Sequence, residues 1–98
     1  MILFENINKG LEEYRATPNA ILVDVREADE FRTGHIPEAF NAPLSTITNT
    51  TLPKDKSLFL YCLRGTRSKR AARILKTMGY QDARSIGGIA SYRGQLEK

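Results

Sequence analysis

Tryptophan is absent from this chain, and cysteine and histidine occur once each, as Cys62 and His35. A lone cysteine closes no disulfide within the chain, so stability must come from an apolar core, and a reducing compartment is expected. A lone histidine means that any Cys-His nucleophile pair or histidine metal site would have to be built around His35. Long apolar runs are also missing. Stretches such as Leu58-Phe59-Leu60-Tyr61-Cys62-Leu63 have strand length and fall far short of the roughly 20 residues that cross a bilayer. The opening Met1-Ile2-Leu3-Phe4-Glu5 shows neither a basic leader nor a long apolar stretch. No export signal is therefore visible, and a cytoplasmic location with no membrane partner is expected.

What remains is ordinary globular material. Hydrophobic residues make up 41% and charged residues 27% of the 98 positions, which fits one folded domain over residues 1–98 and leaves no room for a second core. No internal repeat, linker or low-complexity tract interrupts it. The formal net charge of +4 suits nucleic acid, an acidic membrane surface or small anionic substrates. The basic stripe from Arg67 to Lys76 carries no interleaved aromatic residues and no recognition motif, so it reads as a solvated helix face, with no nucleic-acid partner expected.

Local patterns predict alternating strands and helices. Phe4-Glu5-Asn6-Ile7 reads as a short strand, with Asn8 capping a helix that Thr17-Pro18 ends. Ala20 to Val25 is nearly all apolar, the mark of a strand covered on both faces, with Asp24 and Arg26 at its carboxyl end. Glu27 to Thr33 can make two helical turns ended by Gly34, and Phe40-Asn41-Ala42 before Pro43 an edge strand. Residues 45–51 are weakly specified. Ser57 to Cys62 is a second buried strand, after which Ala71, Ala72, Ile74, Leu75 and Met78 recur at helical spacing up to Gly79. Ala83 to Ile86 predicts a last strand, Gly87-Gly88 a tight turn, and Ile89 to Leu96 a closing helix. The fold class is α/β with a mainly parallel sheet.

The segment Cys62-Leu63-Arg64-Gly65-Thr66-Arg67-Ser68 joins a buried strand to an amphipathic helix, at the sheet end where open α/β folds bind ligands. A loop curling into a helix amino terminus turns backbone N–H groups inward, and with the helix dipole these favour negative charge on the sulfur. Arg64 and Arg67 add positive charge, and Gly65 permits close backbone approach, so Cys62 is expected to be a thiolate nucleophile. Arg67, closing the loop, is expected to face an anion.

These residues resemble the rhodanese superfamily over nearly the whole chain. The resemblance rests on Leu22-Val23-Asp24-Val25-Arg26 with Glu30-Phe31, Gly34-His35-Ile36-Pro37 with Ala39, Tyr61-Cys62 through Ser68, and Gly87-Gly88-Ile89 with Tyr92, in that order. It implies a five-stranded, mainly parallel sheet flanked by helices on both faces, with a loop cradling the catalytic cysteine. Related phosphatase domains have five residues between cysteine and arginine. Cys62 and Arg67 enclose only Leu63, Arg64, Gly65 and Thr66, the sulfurtransferase length. Two positions depart from the family pattern: Leu63 stands where a polar residue is common, and Tyr92 where tryptophan is. The resemblance implies supporting roles for Asp24, Arg26 and His35, and Ser68 completes the loop.

The implied activity is sulfur transfer through a Cys62 persulfide. A small anionic donor such as thiosulfate would load the sulfur, and cyanide, a thiol or a protein would accept it. No metal or organic cofactor is called for. A protein-to-protein persulfide relay is the alternative, ahead of a non-catalytic or phosphatase-like domain.

Overall fold

The computed structural model describes residues 6–98. In chain order it comprises α1 (Ile7–Ala16), β1 (Ile21–Asp24), α2 (Ala28–Thr33), β2 (Phe40–Asn41), β3 (Ser57–Cys62), α3 (Thr66–Thr77) and β4 (Asp82–Gly88). Short 3-10 helices occupy Leu44–Asn49 and Ile89–Ser91. The strands lie in the order β2-β1-β3-β4, and every pairing is parallel.

Period-two alternation along β3 builds the domain. Leu58, Leu60 and Cys62 enter one cluster with Val23, Val25, Ile47, Ala71 and Leu75, beneath α3. Phe59 and Tyr61 enter the other with Ile7, Leu11, Leu22 and Ile86, beneath α1. Helices thus cover both faces, which is why β1 and β3 read as continuous apolar runs. Tyr61 is fully buried, and its hydroxyl accepts the Ile36 N–H at 3.1 Å, tying β3 to the Gly34-His35-Ile36-Pro37 segment. No helix among the described residues is long and apolar enough to cross a membrane.

Several expectations are corrected. The sheet has four strands among the described residues, not five. The strand expected over residues 4–7 lies partly outside the described residues, and Ile7 is already helical because Asn6, extended, caps α1 through its side chain to the Asn8 N–H at 3.0 Å. Asn8 therefore does not cap. Its side chain instead donates to the Ser91 carbonyl and accepts the Arg93 N–H, pinning the carboxyl-terminal segment. Gly87-Gly88 is the end of β4 rather than a tight turn, paired with Tyr61 and Cys62.

The closing helix over 89–96 shrinks to Ile89–Ser91. Beyond it, the backbone bonds of Glu97 go sideways to His35, N–H to carbonyl in both directions at 2.8 Å, and a helix cannot satisfy them that way. The helix Leu44–Asn49, kinked at Thr46 and anchored by buried Ile47, runs into the weakly specified 45–51 region and covers it as far as Asn49.

Replacing Tyr61 with Phe keeps the ring but strands the buried Ile36 N–H. Tyr61→Phe is expected to lose about 1–3 kcal/mol of stability, measured as a lowered urea midpoint at unchanged slope.

Candidate functional site

The turn from β3 to α3 is made by Leu63, Arg64 and Gly65 alone. So tight a reversal requires left-handed backbone, and Gly65 supplies it at φ 104°. Gly65 is also the N-cap of α3 and has no side chain to accept the free N–H groups of the first helical turn. The Cys62 sulfur takes that place. Gly65 N–H donates to Sγ at 3.0 Å and Ser68 N–H at 3.4 Å, while the Ser68 hydroxyl lies 3.6 Å away.

Cys62 is only 1% exposed. Burial pushes its thiol up, but the Ser68 hydroxyl and the backbone N–H groups of Ser68, Gly65 and Arg64 outweigh it, and the net position is below the ordinary thiol value. The loop also needs room on its far side. A Cβ at Gly88 would overlap the Leu63 carbonyl oxygen, and that same oxygen accepts the Ala90 N–H at 3.1 Å.

Of the loop side chains, Leu63, Arg64 and Thr66 are exposed. No side-chain hydrogen bond or ion pair holds Arg64 among the described residues. Arg67 is different. Its guanidinium donates to both Glu30 carboxylate oxygens, at 2.8 and 3.0 Å, so the anion it faces is this carboxylate, in a fork-to-fork clamp between α3 and α2. Glu30 also accepts the Glu27 N–H in a capping box that starts α2.

Asp24 and Arg26 pair with each other at 2.7 Å, both buried, and Arg26 reaches on to the Gly34 carbonyl, also at 2.7 Å. They lock the end of β1 to the end of α2, and no hydrogen bond joins either to the sulfur. The His35 ring stacks on Phe31 at 3.8 Å, with Nδ1 3.0 Å from the Phe31 carbonyl. It is likewise not hydrogen-bonded to Cys62. Glu30 as the partner of Arg67, Ser85 as the partner of Ser68, and Gly88 as the floor of the loop were not singled out as site residues from the sequence. The last two stand in the β4 segment, where alternation identifies a strand but not its neighbours.

The fold and site together define an α/β domain that holds a buried cysteine sulfur against backbone N–H donors at a strand-to-helix turn. Residues 8–95 match the rhodanese-like domain family, and the chain belongs to it. The Bacillus subtilis protein YqhL is 39% identical over 90 residues, which span 88% of this chain and 71% of YqhL. A tRNA sulfurtransferase from Desulfurococcus amylolyticus is 38% identical over 88 residues, 89% of this chain but only 18% of that protein. The human single-domain sulfurtransferase TSTD1 has the same fold, with a TM-score of 0.74 and 25% identity over 86% of this chain and 89% of that one.

The Arg67 guanidinium holds the Glu30 carboxyl at about 2, against an ordinary 4.5. A folded value below the unfolded one stabilises the protein above the unfolded value and ceases to do so as pH falls through the folded one. The pair's contribution, about 1 kcal/mol after allowance for its partial exposure, should be intact above pH 4.5 and lost on descent toward 2. Urea melts over that range should show Glu30→Gln less stable than wild type near neutrality, with the two curves converging in acid.

Proposed function

We propose that this domain is a sulfurtransferase that carries sulfane sulfur as a persulfide on Cys62. The observation that carries the reading is the convergence of the Gly65 and Ser68 N–H groups on a buried sulfur. The Cys62 thiolate attacks the outer sulfur of thiosulfate, forming an S–S bond, and the original bond breaks with its electron pair leaving on sulfite. The persulfide keeps one negative charge on its terminal sulfur. The same donors that favour the thiolate favour that charge. Attack by cyanide or a thiolate on the terminal sulfur then returns Cys62 as a thiolate. An ionised nucleophile needs no general base, in keeping with a histidine engaged elsewhere. No step calls on a metal or an organic cofactor. A single cysteine and this chemistry both fit a reducing cytoplasm.

Arg64 is the cation left to meet an anionic donor, since Arg67 is taken by Glu30. A second reading, relay of persulfide from one protein to another, is favoured by Leu63, 38% exposed directly after the nucleophile. An apolar side chain there suits a protein surface better than a small anion. Saturation at low thiosulfate concentration supports the first reading, and transfer only from a persulfidated protein supports the second.

Incubation with thiosulfate is expected to add the mass of one sulfur atom to the intact protein, and cyanide to remove it. Addition that persists in Cys62→Ser would overturn the assignment, because no other cysteine is present. If Arg64 captures the donor, Arg64→Ala should raise the KM for thiosulfate about tenfold with stability unchanged. Lys69→Ala, one turn along the exposed face of α3, should have much less effect in the same steady-state assay.

A further inference from the structure

Ser68 is fully buried, and the closest partner of its hydroxyl is not the sulfur. Ser85 Oγ, on β4, lies 2.6 Å from Ser68 Oγ. The Gly65 carbonyl follows at 3.1 Å, the Gly87 carbonyl at 3.5 Å and Cys62 Sγ at 3.6 Å. A hydroxyl has one proton to give and two lone pairs to receive. The Ser68 proton is therefore contested between two carbonyl oxygens, Ser85 and the sulfur.

The two charge states of Cys62 ask different things of that proton. As a thiol, Sγ donates to Ser68 Oγ, and the Ser68 proton points away, to Ser85 or to the Gly65 carbonyl. As a thiolate, the sulfur accepts, so the Ser68 proton must turn to it and the Ser68 oxygen then needs a donor of its own. With Ser68 out of reach of solvent, that donor has to be a protein group, and Ser85 is the hydroxyl in range. Donation from Ser85 polarises the Ser68 O–H and strengthens its bond to a charged acceptor.

We infer that Ser85 is a positioning residue for the Cys62 nucleophile, acting through Ser68 by reversing the direction of the Ser68–Ser85 hydrogen bond when the sulfur ionises. Both hydroxyls keep their protons throughout, and the thiol proton leaves to water. The strand supplies the placement. Leu60 pairs with Ser85 but Tyr61 pairs with Gly87, so a bulge follows Ser85 immediately. Ile86 takes the extra place and turns into the α1-side cluster, while Ser85 and Gly87 both meet Ser68 beneath α3. This assignment rests on reading Cys62 as the nucleophile, and it does not depend on the identity of the sulfur donor.

The test is the rate of Cys62 alkylation by iodoacetamide as a function of pH, in the full chain. Ser85→Ala and Ser85→Val should raise the titration midpoint by roughly half a unit to one unit, the worth of one neutral hydrogen bond. Ser85→Thr, the same shape as Val but with the hydroxyl restored, should titrate like wild type. Ser68→Ala should shift the midpoint at least as far, and adding Ser85→Ala to it should shift it no further. Unchanged midpoints in Ala and Val would overturn the inference, as would a Thr variant that shifts like Val or a double variant that exceeds Ser68→Ala. Should Ser85→Ala fail to fold, the Thr and Val pair decides. Iodoacetamide takes no sulfur, so failure of the sulfurtransferase reading would appear in the thiosulfate mass shift and leave this titration interpretable.

Discussion

Donation of the Gly65 and Ser68 N–H groups to the Cys62 sulfur sets conditions that the rest of the chain meets. A charge buried without donors is costly enough that a thiol would stay protonated instead. Bringing those N–H groups to bear means ending β3 on the sulfur, reversing within three residues, and starting α3 with its first turn pointed back. Gly65 makes the reversal, and the absence of a side chain at Gly88 leaves space for the Leu63 carbonyl. The two glycines lie far apart in the chain and serve one turn.

The direction of α3 has to be held as well, because a small rotation would lift Ser68 off the sulfur. Ala71 and Leu75 hold it from below through the core. Arg67 holds its first turn from the side, against Glu30 on α2. Through Arg26, the far end of α2 is joined to Asp24 at the end of β1. A buried ion pair of this kind adds little net stability compared with apolar packing, but breaking it is expensive, so it specifies geometry. The chain of contacts from β1 through α2 to α3 converts sheet rigidity into the placement of one N–H group.

The parts legible in sequence were those with local causes. Buried strands announced themselves at Leu22-Val23 and at Leu58 to Cys62, because coverage on both faces removes polar alternation, and α3 showed its stripe of Ala71, Ala72 and Leu75. Cys62 could be placed at the mouth of a helix from the change of period alone. What escaped had distant causes. Arg67 looked like part of the anion-binding loop because Glu30, its partner, stands 37 positions away. The 89–96 segment had apolar residues enough for a helix, but Asn8 claims the Ser91 carbonyl and the Arg93 N–H, and His35 ties down Glu97 just beyond, which nothing local reveals. Ser85 looked like an ordinary strand residue until β4 was laid beside β3.

Charge stabilisation and partner recognition fall to different atoms in this loop. The donors to the sulfur are main-chain groups, together with one serine hydroxyl, and none belongs to the side chains of Leu63 or Arg64. Those two side chains are exposed on the turn itself, one apolar and one cationic. Substitution at either position can therefore change what docks against the loop without disturbing the charge on sulfur, provided the backbone keeps its path over Gly88. In the sulfurtransferase we propose, a scaffold built this way could meet different sulfur donors without altering Cys62, and the exposed apolar Leu63 beside it is where such a difference would be read.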